Sequence, residues 1–293
     1  MTYSIIARDE RSGRLGVAVQ SHFLAAAARV AGARAGAGVV ATQANIGAAY
    51  RSGGLDLLAG GASADEALAV CMSEDPQPEV RQVAMMDARG AIAVHTGAGC
   101  WNAAAHHVAP GVAAQANMVA SPAIPQAMVA AFQAHTGSFP ERLLAALDAA
   151  EQLGGDLRGR QAAGILIVEG DAEVDAEPVL DLRVDDDAEP LVRLRSAVAR
   201  ARAFVPMWDV IRGPACRGPV PPAADESVHA IEVLGTAQRE YGRRNLEPSF
   251  WRAVALWRAG RQKEARVALD RIARDNSGWT MLFDDVVSRW PIP

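Results

Sequence analysis

An α+β fold with a small all-α C-terminal domain is predicted by three observations on this 293-residue chain. Short apolar runs separated by turn signals fill its first third, the pattern of hairpin-linked strands. Helical spacing then takes over between Ile124 and Leu153, before strand-like runs return at Gln161 and Val179. Beyond a Pro- and Gly-rich stretch from Pro206 to Ala224, every remaining segment is helical in pattern. Helices that lie outside hairpin-linked strands, instead of alternating with each strand, indicate a layered α+β domain. The chain therefore divides into a domain over residues 1–205, a linker over 206–224 and a helical extension over 225–293.

Thr2 to Arg8 alternates as a strand, Glu10-Arg11-Ser12-Gly13 is a turn, and Arg14 to Val19 is the returning strand. With the turn centred there, paired residue numbers sum to about 23 or 24, which sets Thr2 opposite Ser21 or His22. Gly38 to Gln43 is a third strand. Ser63-Ala64-Asp65-Glu66 has the form of a capping box, and Ala67, Leu68, Cys71 and Met72 follow at helical spacing. Val80 to Met86 and Ala91 to Thr96 flank a turn at Asp87-Ala88-Arg89-Gly90 and make a second hairpin. Val112 to Val119 is another strand, carrying Gln115 and Asn117. Two helices follow, Ile124 to His135 and Pro140 to Leu153, the second with Leu143, Leu144, Leu147 and Ala150 on one face. Gln161 to Val168 and Val179 to Val184 close the strand set. In the extension, Val228 to Tyr241, Pro248 to Ala259, Arg261 to Arg274 and Trp279 to Trp290 are helical. The pattern from Ala255 to Leu269 is like a tetratricopeptide hairpin. Trp251, Trp257, Trp279 and Trp290 fit a small helical core.

Composition narrows the function classes. Hydrophobic residues are 50% and charged residues 22% of the chain, an ordinary globular balance. The net charge is −5 and Lys263 is the only lysine, so no basic footprint for nucleic acid is present. Cys71, Cys100 and Cys216 are few and far apart, which suits a reducing cytoplasm better than a disulfide framework. No apolar run of about 18 residues and no basic, apolar leader is apparent, so neither export nor a membrane partner is expected. His106-His107 lacks the spacing of a metal motif, no phosphate-binding glycine loop occurs, and no metal or cofactor is expected.

Thr2 carries the sharpest chemical signal. If Met1 is trimmed, its hydroxyl is a nucleophile and its own α-amine, with an ordinary pKa of about 8, is a general base. Ser21 and His22, brought opposite by the hairpin, would polarise the amine or bind substrate. Thr42 and Gln43 end the third strand and offer hydrogen-bond donors. Gln115 and Asn117 share one strand face with two-residue spacing, where buried amides need partners, so they are candidate substrate-binding residues or else a satisfied hydrogen-bond pair. His95, with Cys100 nearby, raises a rival Cys/His amidase. Asp156, Arg158 and Gln161 lie in a Gly-rich loop that suits either an anion clamp or a structural turn.

The stretches TYSIIARD from Thr2, LGVAVQS from Leu15, ATQA from Ala41, HTG from His95, QANM from Gln115, GDLRGRQ from Gly155 and DLRVDD from Asp181 occur in an order that resembles the Ntn-hydrolase-like proteins called domain of unknown function 1028. The resemblance implies a four-layer αββα sandwich. It also implies an N-terminal nucleophile at the end of a central strand, cleaving amide bonds. The resulting expectation is a cytoplasmic amidohydrolase acting on a small amide or peptide-like substrate through a Thr2 acyl-enzyme. A homo-oligomer is expected, since sandwiches of this kind often pair. The alternatives are a non-catalytic binding or scaffold protein on the same fold, and the Cys100 amidase.

Overall fold

The computed structural model describes residues 2–101 and 103–290; Met1, whose removal the sequence reading requires, lies outside them. The chain forms two compact units, Met1–Val198 and Ala199–Pro293.

The first unit is built on two antiparallel sheets. Strands β1 (Thr2–Arg8) and β2 (Leu15–Ser21) form the expected N-terminal hairpin. Its turn closes on Gly13 at φ 74°, and the Asp9 carboxylate accepts from the Ser12 amide and hydroxyl, so the reversal is held by local bonds. The pair joins β7 (Ala105–Ala109), β8 (Val112–Asn117), β9 (Ala162–Val168) and β10 (Leu180–Val184) in a six-stranded sheet, ordered β10-β9-β2-β1-β8-β7. Strands β3 (Ala31–Arg34), β4 (Gly38–Ala44), β5 (Arg81–Asp87) and β6 (Ile92–Thr96) make the second sheet in sequence order. β1 is thus an interior strand, paired with β2 on one side and β8 on the other.

Helices cover the outer face of each sheet. α2 (Ala48–Ala59) and α3 (Ala64–Glu74) pack on the four-stranded sheet, while α4 (Ile124–Ala134) and α5 (Phe139–Gln152) pack on the six-stranded one. The predicted capping box at Ser63 and Glu66 starts α3, and a second, Ser138 with Glu141, starts α5. The layer order is helices, sheet, sheet, helices, with a separate apolar core in each gap. Tyr3, Ile5 and Ala7 face α4 and α5. Ile6, Val17, Val19, Val39, Ala41 and Ala84 fill the space between the sheets. Val40, Val83 and Met85 face α2 and α3. By the two-residue pleat, Thr2 and Ser4 therefore point between the sheets beside Ile6.

Elements of this unit that lie outside the strand and helix runs read from the sequence include α1 (Ala26–Val30), β3, α2, β7 and the helix that starts at Pro190. The stretch from Ala25 to Ala37 is Ala-, Gly- and Arg-rich with no clear period, and tertiary packing decides its state.

The second unit is helical. α6 (Pro190–Arg212) begins in the first unit and runs into the second, and α7 (Ala224–Tyr241), α8 (Glu247–Arg258), α9 (Gln262–Ala273) and α10 (Gly278–Arg289) follow. Residues 206–224, expected to be a linker, are helical as far as Arg212, and Met207, Ile211, Ala215 and Cys216 are buried in the second unit's core. The stretch is therefore packed as far as Cys216, and the run from Pro219 to Ala224 is mostly exposed. Phe250 anchors that core, with the Trp251 and Trp279 rings at 5.1 and 5.2 Å between centroids. Among the described residues no helix is long and apolar enough to cross a membrane.

Candidate functional site

The register of the first hairpin decides which polar group meets Thr2. Pairs run from Tyr3 opposite Gln20 to Arg8 opposite Leu15, so the next pair outward is Thr2 with Ser21. Both side chains are buried, and the Thr2 Oγ1 and Ser21 Oγ atoms are 3.0 Å apart. His22 lies one residue further on. Its amide donates to Asp156 at 2.9 Å and its ring Nδ1 is 3.2 Å from the Arg160 carbonyl, so it is tied to the loop before β9.

Behind Thr2, the space between the sheets is polar. On β8, Asn117 is the cross-strand partner of Thr2 and Gln115 that of Ser4, so all four share one face. From the opposite sheet come Gln43 and Gln82, neighbours across β4 and β5. Ser4 Oγ donates to Gln43 Oε1 at 2.7 Å, and Gln43 Nε2 reaches Gln82 Oε1 at 2.8 Å, the Thr2 carbonyl at 3.1 Å and the Gln115 carbonyl at 3.3 Å. Asn117 Nδ2 donates to the same Gln82 Oε1 at 2.9 Å. Gln82 Nε2 faces the Ala116 carbonyl at 3.0 Å, and the Ala105 carbonyl and Thr96 hydroxyl each at 3.1 Å. Gln115 Nε2 donates to the Ala41 carbonyl at 3.0 Å. Five fully buried side chains are thus cross-linked through two sheets, an arrangement that is stable only when nearly all members are satisfied.

Other candidates are placed elsewhere. Thr42 is buried but alternates with Gln43, so it faces the α2 side of its sheet with Val40. His95 likewise faces the helix layer, with Nε2 2.8 Å from the Pro78 carbonyl. Asp156, with a fully buried carboxylate, accepts from the Arg158 amide and guanidinium as well as from His22, the pattern of a structural turn. Gln161 donates to Asp186 at 3.1 Å on the surface. Cys100 donates its thiol to the Arg81 carbonyl at 3.2 Å, and burial pushes its pKa up, away from thiolate character.

A cavity of about 280 Å³ opens beside the network, lined by Ala44, Asn45, Val80, Gly99, Trp101, Asn117 and Met118. Two of these, Ala44 at φ 67° and Met118 at φ 51°, are left-handed and directly follow Gln43 and Asn117. None of these lining side chains is charged.

The model of DUF1028, a family of unknown function, matches residues 2–194. The chain belongs to the DUF1028 family. This DUF1028 protein is also similar to a solved structure, that of protein SPO2555 from Silicibacter pomeroyi, itself described as DUF1028. The two share 29% identity with a TM-score of 0.62, over 68% of this chain and 88% of the other. No curated protein is significantly similar to it.

In this DUF1028 chain the residues that the sequence reading missed are Gln82 and Thr96. Gln82 carried a signal like that of Gln115, an amide in an apolar strand-like run, but next to Arg81 it looks like the polar end of a turn. Thr96 follows His95 on β6 and takes the inter-sheet face, where its hydroxyl is 2.9 Å from His106 Nδ1. Burial first, then His95 and His107, lowers the His106 pKa, so the ring is neutral near pH 7. On the other face of β1, Tyr3 and Gln20 both donate to Glu151 Oε1, at 2.5 and 2.6 Å, and Arg160 pairs with Oε2. That cluster fastens the end of α5 to the central hairpin. Burial and then the Glu151 charge hold the Tyr3 hydroxyl well above its ordinary pKa.

Proposed function

We propose that the protein is an N-terminal-nucleophile amidohydrolase acting on a small amide or peptide-like substrate through Thr2. The observation that carries this reading is the Thr2 hydroxyl, buried at the end of an interior strand, 3.0 Å from Ser21 and backed by the amide network. A hydroxyl is a weak nucleophile unless a base accompanies it, and the α-amine of a trimmed chain supplies that base on the same residue. In the first step Thr2 Oγ1 attacks the substrate carbonyl while its proton passes to the amine. The C–N bond then breaks, and the leaving nitrogen takes that proton. Water, deprotonated by the same amine, attacks the resulting ester and releases a carboxylic acid, restoring Thr2. The adjoining uncharged cavity suits a small acyl or amide group. The rival Cys100 reading loses support from its raised pKa and its carbonyl partner.

Intact mass tests the reading first: the active chain lacks Met1. Thr2→Ala is then expected to abolish amide hydrolysis and covalent labelling by a hydroxyl-directed β-lactone. Labelling that persists at Cys100 would transfer the reaction to the thiol, and a fully retained Met1 would leave no amine to act as base.

A further inference from the structure

We propose that Gln82 is a positioning residue for this reaction: it fixes the sense of the Asn117 amide, so that the Asn117 carbonyl oxygen, not its NH₂, is presented at the end of β1 to the α-amine of Thr2. The inference rests on the amidohydrolase reading and adds a residue and a direction to it.

An amide side chain can be turned either way, and its sense follows from partners that can play only one part. Gln82 Nε2 is within 3.0 to 3.1 Å of two main-chain carbonyls, Ala116 and Ala105, which can only accept. That end of Gln82 must therefore be the NH₂, and Oε1 must point the other way. Oε1 is approached by two further amides, Gln43 at 2.8 Å and Asn117 at 2.9 Å. Each must offer hydrogens there. For Gln43 the result is over-determined, because the same nitrogen faces the Thr2 and Gln115 carbonyls while Oε1 accepts from Ser4. For Asn117 it is not. Among the described residues the side-chain bond that orients Asn117 runs to Gln82, and it leaves Oδ1 on the opposite edge of the amide. Asn117 lines the cavity and is the cross-strand neighbour of Thr2. Two carbonyls of the six-stranded sheet thus set, through one glutamine of the other sheet, what the cavity offers at its inner end.

An acceptor at that place favours the ammonium form of an amine and holds its pKa up. Among the described residues, Ser21 on β2, Asn117 on β8 and Gln43 on β4 face Thr2 from neighbouring elements, with Gln82 and Thr96 behind them, and none of these five carries a charge. His106, bonded to Thr96, is a titratable ring of this network, and burial, then His95 and His107, lowers its pKa.

The test uses the full-length protein. The Thr2 amine is titrated by the pH dependence of its acylation with an N-terminus-selective reagent, read by mass, in the native chain and in Gln82→Met, Gln82→Glu and Asn117→Ala variants. Removing the acceptor in Asn117→Ala is expected to lower the amine pKa by about one unit. Gln82→Met, which frees the Asn117 amide to turn, is expected to lower it similarly, with a matching acid shift in the pH profile of Thr2 labelling. Gln82→Glu still accepts from Asn117, so it should keep the amine at or above the native value even where folding stability falls. A native pKa in both Gln82→Met and Asn117→Ala overturns the assignment and leaves the amidohydrolase reading standing. A lowered pKa in Gln82→Glu equal to that in Gln82→Met also overturns it, because loss of packing alone would then account for both. A retained Met1 is visible in the mass before any titration and overturns the reading and the assignment together.

Discussion

Replacing Gln43 by Met keeps the length and volume of a fully buried side chain and removes its hydrogen bonding. The Ser4 hydroxyl loses its acceptor at 2.7 Å, and Gln82 Oε1 loses one of its two donors, at 2.8 Å. A buried donor left without a partner costs about 1–3 kcal/mol, and a lost bond whose acceptor keeps a second partner about 0.5–1.5 kcal/mol. The expected loss is therefore about 2–4 kcal/mol, a large share of the roughly 5–15 kcal/mol that holds a domain folded. Gln43→Glu sharpens the test. The Gln43 nitrogen faces three oxygens, those of Thr2, Gln82 and Gln115, so a carboxylate there meets only acceptors and should be no better tolerated than Met. Urea denaturation gives the measurement, because the second unit provides an internal control. Of the six tryptophans only Trp101 lies in the first unit, so fluorescence follows mainly the helical unit while far-UV circular dichroism follows both. The midpoint of the first unit should fall and the fluorescence midpoint should stay. A loss below about 1 kcal/mol for Gln43→Met, or a Gln43→Glu chain as stable as the native one, would refute the accounting of the network.

Two further expectations concern positions away from Thr2. The Arg81 guanidinium, 2.7 Å away, is the main cause holding the Asp75 carboxyl down to about 2, from an ordinary 3.8. A lowered folded-state value means that the contribution is complete above about pH 4 and disappears as pH falls towards 2. Asp75→Asn should therefore cost at most about 2 kcal/mol at pH 7 and flatten the acid melting curve in that window; an unchanged curve would show the pair to be solvent-screened. At Gly97 an added Cβ would lie 2.1 Å from the Glu79 carbonyl oxygen, a main-chain atom that cannot swing away. Gly97→Ala should lower stability by about 1–3 kcal/mol in urea titrations, and a neutral substitution would mean that the β6 end and the Pro78 turn separate easily.

What was legible in the sequence was mostly local. The turn at Glu10 to Gly13 narrows the partner of Thr2 to Ser21 or His22, because a hairpin's register is set within a few residues, and the observed register selects Ser21. The capping box at Ser63 and the amphipathic face of α5 are equally local. The choice between Thr42 and Gln43 was not legible. Val39, Val40 and Ala41 are all buried, on alternate faces, so hydrophobicity does not mark which parity looks into the site. The meeting of Ser4 with Gln43, 39 residues apart, is also invisible locally, since nothing in either strand says which sheet will lie over it. Gln82 was overlooked for the same reason. Its five partners lie on four other strands, and its value comes from where the sheets stack.

Ala44 and Met118 have a further consequence. Each adopts a backbone conformation that glycine enters at little cost and that other residues enter at about 1–2 kcal/mol. A glycine in either position would also sample many more conformations once the chain loosened. Both residues line the cavity, at the points where the chain leaves Gln43 and Asn117. Replacing either by glycine would relieve that strain in the folded state and add conformational entropy to the loosened chain, so the two effects on stability oppose one another at each turn.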